Sequence, residues 1–238
     1  MQYRVKTSPL YVKTKENLIR LIHDSSDDSN QLPSEEGLIR TMCVSRGTVR
    51  EALVALSREG IVSKRPGLGN FFHRSALDYP MRIDLVYDFV DLLSRAGHQV
   101  AVRQDPFSVV NAPECTGETG EFLKVTWTYL AGAEAAILAD MYVPRARLQG
   151  EPDPAVIERS LPEFLFKYCG DESVQSAIIM GATMPSPRLR ILFKIAQDMP
   201  VIRWNEVYFN LSDEKVAYAT VYFNPCVTAL SMIRKDLG

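Results

Sequence analysis

Hydrophobic and polar positions follow two different periods along this chain, and the change of period divides it. Over the first 74 residues, apolar side chains recur every three or four positions, as in helices with one buried face. From about residue 99 onward the pattern is that of β-strands and hairpins. The pattern predicts an α+β fold of two domains, residues 1–74 and 82–238, joined by a linker at 75–81.

The first of these segments predicts three helices followed by a short hairpin. The first helix falls within residues 9–25, and Ser34 and Ser45 are placed to cap the second and the third. The third helix has a buried stripe and ends at a glycine, and the turn PGLGN then separates two short strands. This order predicts a helix-turn-helix with a wing. The stripe consists of Val49, Ala52, Leu53 and Leu56.

The polar start of the third helix indicates a partner. Arg46, Gly47 and Arg50 lie off the buried stripe, at the end of the helix where backbone N–H groups face outward. Arginine at such an end can hydrogen-bond guanine O6 and N7 in the major groove, and Thr48 can reach a phosphate or a thymine methyl group. Gly47 lacks a side chain, which would let the helix lie closer to DNA. We therefore predict a DNA-binding domain.

A family resemblance supports this prediction. The stretch LPSEEGLIRTMCVSRGTVREALVALSREGIVSKRPGLGNFF resembles the winged helix-turn-helix of the GntR family of bacterial transcription regulators, and the likeness covers residues 9–73. The resemblance and the wing together give a set of expected DNA-contacting residues. They are Ser34, Glu36, Arg46, Gly47, Thr48, Arg50, Lys64, Arg65, Gly67 and Gly69.

Two residues depart from the family pattern. Glu36 stands where the family usually has arginine, and Asn70 stands where threonine usually follows the second glycine of the wing. Glu36 has two interpretations, because glutamate can accept a hydrogen bond from cytosine N4 and can also be a solvated acid favoured by the helix dipole. Both departures predict that the protein reads a different operator from the commonest one of the family.

The second segment predicts helices around an antiparallel sheet. We expect a helix over 83–99 with Ile83, Val86, Phe89, Val90 and Leu93 on its apolar face, and a strand over 99–110 broken by Pro106. Hairpins are expected over 122–144 and 201–223, one or two short helices over 154–170, and a strand over 174–184. A helix capped by Ser186 should bury Leu189, Leu192, Phe193 and Ala196.

This order of elements resembles the ligand-sensing domain of the HutC subfamily, a UTRA domain with the chorismate-lyase fold. Its clearest anchor is AGAEAAILADMYVP, which aligns Asp140 with an acidic ligand contact. The arginines with which sugar-phosphate sensors bind anions fall on Thr128 and Leu130. A further motif falls on residues 223–226. The resemblance thus implies a less charged effector, or an anion held by another group. The candidate effector residues are Arg103, Thr128, Leu130, Asp140 and Asn224.

Composition and charge narrow the functional classes. Net charge is -2, divided as +4 over residues 1–74 and -6 over the remainder, so the basic part is the predicted DNA-binding domain. The sequence has no apolar run of about 18 residues and no secretion signal, which predicts a cytoplasmic protein without a membrane partner. Four dispersed cysteines and three histidines predict neither metal nor disulfides, and we expect no cofactor.

We therefore expect a transcription regulator, most simply a repressor, that binds double-stranded operator DNA and a small-molecule effector. A homodimer would read an inverted repeat. No phosphate-binding loop or nucleophile elbow is present, so we predict that the protein is not an enzyme. The alternative is a chorismate-lyase-type enzyme domain fused to a DNA-binding head, which would require paired cationic groups in a product-releasing pocket.

Overall fold

The computed structural model describes residues 9–25, 30–85, 88–153, 155–157 and 160–234. Contacts divide the chain into two compact units, and the first of them takes residues from both ends of the sequence. It comprises Met1–Leu85 and Ser231–Gly238, and the second unit comprises Val86–Leu230. The N-terminal unit is described first.

Three helices and a hairpin form the N-terminal unit, as the sequence predicts. The helices are α1 (Leu10–Asp24), α2 (Glu35–Met42) and α3 (Arg46–Arg58), and the wing strands are β1 (Val62–Arg65) and β2 (Gly69–Phe72). The predicted caps are present, because Ser34 Oγ accepts from the N–H of Gly37 and Ser45 Oγ accepts from the N–H of Thr48, each at 3.1 Å. The core contains the whole predicted α3 stripe. Its larger members are Leu18, Ile22, Leu38, Val49, Leu56 and Phe72.

The wing is fastened by a segment that precedes α2. The N–H of Leu32 donates to Asn70 O at 2.9 Å, and the N–H of Phe72 donates to Asn30 O at 2.8 Å. Gln31 Nε2 donates to Leu68 O at 2.6 Å, at the turn of the wing. Asn70, one of the two departures from the family pattern, is buried. It therefore lies in the contact between the wing and the segment before α2.

The C-terminal segment completes the same unit. Ser231 donates its N–H to Met81 O and accepts from the N–H of Ile83, both at 2.9 Å, and Ile233 packs against the helical core. Arg82 is buried and donates to Glu59 O at 2.5 Å and to both carboxylate oxygens of Asp84. Residues 82–85 thus belong to the first unit, whereas the sequence prediction ended the first domain at residue 74 and began the second at residue 82.

The second unit is built on an antiparallel sheet. Among the described residues, seven strands form the sheet in the order β3-β5-β6-β9-β8-β7, and β4 also pairs with β5. The first strands are β3 (Val100–Gln104), β4 (Ser108–Asn111), β5 (Glu121–Ala131) and β6 (Glu134–Pro144). The others are β7 (Ser173–Thr183), β8 (Val201–Asn210) and β9 (Lys215–Phe223). The predicted α+β two-domain fold, with a winged helix and an antiparallel sheet, is confirmed.

Helices lie on both faces of this sheet. On one face, α4 (Phe89–Arg95) and α5 (Leu161–Cys169) cover an aromatic core in which Phe89 contacts Tyr129, Trp204 and Phe223. On the other face, α6 (Pro187–Phe193) packs Leu189 and Phe193 on Leu138. This second face also carries a row of polar side chains, and it contains the candidate effector site.

Two predicted helices have different bounds from those expected, one at its start and one at its end. The predicted helix over 83–99 begins only at Phe89, where Asp88 caps it, because Ile83 pairs with Ser231 instead; Val86 lies outside the described residues. Helix α6 stops at Phe193, since Lys194 takes a left-handed conformation with φ 54°, and Ala196 is exposed and not in the core. Of the region 154–170, the described residues form one helix, α5.

Candidate DNA interface and effector cavity

The start of α3 presents its polar side chains outward. Arg46, Gly47 and Arg50 are exposed, because the buried stripe of the same helix turns toward α1 and α2. Thr48 is half-buried, and its hydroxyl lies 2.8 Å from Ser45 Oγ. The cap thus orients Thr48 while leaving the cationic side chains accessible.

One carboxylate joins the helix to the wing. Arg50 Nε donates to Glu35 Oε2 at 2.8 Å, and Lys64 Nζ lies 3.8 Å from the other oxygen of the same group. The hydrogen bond from Arg50, aided by the positive charges of Arg50, Lys64 and Arg46, holds the pKa of Glu35 below its usual value. Glu35, Arg50 and Lys64 line one cavity of about 440 Å³ beside α3. Helix α3 and the wing therefore present Arg50 and Lys64 on one surface.

Glu36 forms a second ion pair across the turn. Its carboxylate lies 3.5 Å from Arg46 Nη2, and both side chains are largely exposed. An exposed pair of this kind contributes only about 0–1 kcal/mol, so a phosphate or a guanine could replace the carboxylate. The sequence did not predict that Glu35 and Glu36 would neutralise the arginines of α3.

The remaining predicted DNA residues lie on the same unit. Ser34 is exposed and occupied in capping α2, and Arg65 is exposed at the end of β1. Gly67 and Gly69 have φ of 76° and 107°, which residues with a Cβ rarely adopt, so the turn of the wing requires glycine there.

A row of polar side chains crosses four strands of the C-terminal sheet on the α6 face. The register aligns Thr126, Asp140, Thr220 and Asn205. Thr126 Oγ1 donates to Asp140 Oδ1 at 2.7 Å, and Thr220 Oγ1 donates to Asn205 Oδ1 at 3.3 Å. Asp140 is only 8% exposed and lies 3.0 Å from Lys124 Nζ. The row forms a polar floor next to α6.

A cavity of about 430 Å³ opens on this face. Arg188 spans it, lying 3.5 Å from Asp140 Oδ1 and donating to Asp105 Oδ2 at 3.1 Å. Arg103 reaches Thr128 Oγ1 at 3.5 Å and approaches Asp105 at 4.0 Å. The lining residues are Arg103, Asp105, Thr128, Arg188, Ile191 and Leu192.

Only some of the five predicted effector residues lie at the cavity. Arg103 and Thr128 line the cavity, and Asp140 lies beside it, joined to it through Arg188. Leu130 packs with the core beneath α6. Asn224 is away from the lining, because its Nδ2 donates to Ala135 O at 2.8 Å and to Phe193 O at 3.3 Å and so fixes the end of α6. Arg188 was not predicted, since its acidic partners are distant in sequence.

Metal sites and membrane spans are absent from the described part of the chain. It contains no group of three or more histidine, cysteine or acidic side chains arranged to hold a metal ion. Its helices are too short or too polar for any of them to cross a bilayer. Cys43, Cys169 and Cys226 are free thiols.

Comparisons with known proteins support the fold of the two units. Residues 10–72 match the family model of bacterial regulatory proteins, gntR family. The chain resembles YydK of Bacillus subtilis, a possible transcriptional regulator, at TM-score 0.73 and 14% identity, over 95% of this chain and 100% of that one.

It also resembles PhnF of Mycobacterium smegmatis, at TM-score 0.56 and 18% identity over 94% and 99% of the two chains. The effector domain of PhnF alone gives a TM-score of 0.55 at 15% identity, over 65% of this chain and 99% of that one. The N-terminal unit is therefore a GntR-family helix-turn-helix domain, and the antiparallel sheet unit follows it as in these structures.

Proposed function

We propose that this protein is a transcription regulator that binds a specific DNA sequence under the control of a small molecule. The observation that carries the proposal is the shared contact of Arg50 and Lys64 with Glu35, which directs the helix and the wing to one surface. Arginine at the start of a recognition helix reads base edges, and a basic wing holds the DNA backbone. The gntR match over residues 10–72 supports the same role.

A duplex selected from a random pool provides the test, because the operator is not known in advance. Arg50→Ala should weaken binding to the selected duplex by about 1–3 kcal/mol and relax the preference at one base position. Arg58→Ala is the matched control, because Arg58 lies in the last turn of the same helix. Equal loss in both variants, or no loss in either, would contradict the role of the α3 start.

Salt dependence distinguishes DNA from other partners. Each phosphate contact releases counterions, so the logarithm of affinity should fall linearly with the logarithm of salt concentration. Lys64→Ala should weaken binding to all sequences about equally and reduce that slope by about one. A flat salt dependence in the parent protein would indicate that the partner is not a polyanion.

We infer that the cavity under α6 binds the effector, and that the effector carries an anionic group and hydroxyls. Three cations, Arg103, Arg188 and Lys124, face two acids, Asp105 and Asp140, so one negative charge on a ligand would balance the site. Thr128 offers a hydroxyl, and Ile191 and Leu192 offer apolar surface. The volume of about 430 Å³ suits a small metabolite.

A thermal-shift comparison of carboxylates, phosphates and neutral sugars tests this inference. Carboxylates or phosphates should stabilise the protein, and Arg188→Ala should remove that stabilisation. Lys194→Ala is the control, since Lys194 follows the same helix and pairs with Glu134 outside the cavity lining. Stabilisation by neutral sugars alone would refute the anionic class.

The effector can regulate DNA binding only through thermodynamic coupling between its site and the DNA interface. It changes operator affinity by the ratio of its affinities for the DNA-bound and the DNA-free protein. In a repressor the effector binds the DNA-free protein more tightly and so releases the DNA. We propose a cytoplasmic homodimer that reads an inverted repeat and has no enzymatic activity. A lyase assay with chorismate separates this proposal from an enzyme with a DNA-binding head.

A further inference from the structure

The cavity beside α3 lies between that helix and the wing, and apolar side chains form part of its lining. Leu53 and Val54 belong to α3, and Val62 belongs to β1. Leu53 and Val62 are buried, and Val54 exposes 51% of its surface. A volume of about 440 Å³ lies within the range of sites that hold small metabolites. The cavity is therefore large enough for a ligand with a flat apolar body.

Asn70 places an amide without a partner in the same cavity. The residue is only 8% exposed, and it is one of the lining residues. Its backbone carbonyl accepts from the N–H of Leu32, but no hydrogen bond joins its side-chain amide to another described residue. A buried amide normally has hydrogen-bond partners, so this one is available to a ligand. An asparagine amide donates and accepts side by side, which matches N7 and N6 of adenine.

Two cations stand next to this amide. Lys64 is paired directly with Asn70 across the hairpin, so both side chains lie on one face of the wing. Arg50 and Lys64 share the carboxylate of Glu35, at 2.8 and 3.8 Å. Both cationic side chains are more than half exposed and so can be reached from solvent. Because two positive charges face one negative charge, a ligand anion is favoured there.

We propose that this cavity binds an adenine mononucleotide, with its base against Asn70 and its phosphate at Arg50 and Lys64. Such a ligand combines the three parts that the site requires, namely an anion, a flat ring for the apolar walls and an edge that pairs with an amide. Because Arg50 and Lys64 belong to the proposed DNA interface, a bound nucleotide excludes DNA. This last consequence rests on the proposed function, whereas nucleotide binding itself does not.

Calorimetric titration with adenosine monophosphate (AMP) tests the site, and adenosine and ribose 5-phosphate are the comparison ligands. AMP should bind once per chain, with a dissociation constant at least about tenfold lower than that of either comparison ligand. Adenosine lacks the phosphate, and ribose 5-phosphate lacks the base. Equal binding of AMP and ribose 5-phosphate, or no binding of AMP, would overturn the proposal.

Asn70→Thr removes the amide and introduces the residue that the family usually has at this position. It should raise the dissociation constant of AMP about tenfold and leave that of ribose 5-phosphate unchanged. Arg188→Ala is the control, because it alters the cavity under α6 in the other unit and should leave AMP binding unchanged. If Arg188→Ala weakens AMP binding and Asn70→Thr does not, AMP binds under α6 and the proposal is wrong.

Glu35→Gln provides a gain of binding, which no loss of folding can imitate. The substitution removes the carboxylate charge that competes with the phosphate for Arg50 and Lys64, so AMP should bind severalfold more tightly. Unchanged or weaker binding would contradict the position of the phosphate.

AMP should also weaken the binding of the parent protein to the selected duplex as its site fills. The proposed DNA-binding function is measured without AMP, through Arg50→Ala. A failure of the duplex to bind would therefore contradict that function, and calorimetry would still decide the nucleotide site.

Discussion

At position 47 the protein itself has room for a side chain. A Cβ there would meet only Ser45 Oγ, at 3.7 Å, which is an ordinary van der Waals contact. Glycine inside a helix costs about 1 kcal/mol relative to alanine, so folding alone would favour alanine. Because folding does not require glycine at this position, we infer that a partner requires it by approaching the helix closely.

Gly47→Ala should therefore separate folding from binding. We expect the variant to unfold at higher urea concentration, with a gain of up to about 1 kcal/mol, because the helix loses its weakest former. We expect its affinity for the selected duplex to fall, because the methyl group occupies the space of the DNA. Unchanged binding would show that the helix start does not approach DNA closely.

Glu36→Gln tests the two interpretations of that departure. The carboxylate pairs with Arg46 at 3.5 Å, so we expect its neutralisation to free Arg46 and to tighten binding to all duplexes by about 0.5–1 kcal/mol. Glu16→Gln, in the exposed face of α1, is the control. If binding weakens and a preference for one cytosine disappears, Glu36 reads that base.

Local chemistry decided which residues could be predicted. Ser34 and Ser45 were identified as caps because a cap needs only the residues that follow it. The pairing of Glu35 with Arg50 spans 15 residues and two helices, and the bond of Arg188 to Asp105 spans 83. Such partners depend on the packing of elements, which no local pattern contains.

The sequence predicted which segments are helices and which are strands better than it predicted where they begin and end. All the predicted strands occur, and Pro106 does separate β3 from β4. The start of α4 was wrong because residues 81–83 pair with Ser231, a contact across about 150 positions that competes with local helix formation. The end of α6 was wrong because Ala196, which continues the apolar periodicity of the sequence, follows the left-handed Lys194 and is exposed.

Strand β8 contains a buried acid that gives a pH-dependent prediction. Burial raises the pKa of Glu206, although Ser176 Oγ donates to its carboxylate at 2.6 Å. A raised pKa in the folded state means that the folded form binds the proton more tightly than the unfolded form. The stabilisation from this proton is present below the unfolded pKa and is lost as pH rises through the folded pKa.

Glu206→Gln should then be more stable than the parent at neutral pH, because folding of the parent must either bury a charge or take up a proton from solution. The difference in melting temperature should shrink as pH falls through the folded pKa and be smallest at about pH 3, below the unfolded pKa of about 4.3, where the parent carboxyl is protonated in both states. Melting curves recorded across this range measure it. A variant less stable than the parent at neutral pH would show that the charged carboxylate is favourable in its site.

For the whole molecule, the sequence predicted two domains but not how the chain divides between them. The change from helical to strand periodicity marks the domains, because each type of core needs its own pattern. The return of residues 231–234 to the first unit has no such signal, as it rests on one short stretch with Ser231 and Ile233.

Ile233→Ala should loosen the N-terminal unit although it lies near the other end of the sequence. Removing this partly buried side chain should cost about 1–2 kcal/mol, whereas Met232→Ala, at an exposed neighbour, should cost little. Hydrogen exchange of α3 is a suitable measurement, because both tryptophans, Trp127 and Trp204, lie in the other unit. Equal protection of α3 in both variants would contradict the contact.

The carboxylate of Glu35 lies between Arg50 and Lys64, where the proposed interface would bind a phosphate of the DNA. Any polyanion must first displace it, so heparin, RNA and random duplex gain less from these two cations than their charges suggest. A cognate site can recover that loss through base contacts, and a random site cannot. The internal acid would therefore shorten the time spent on the wrong sequences and leave more of the protein free to search.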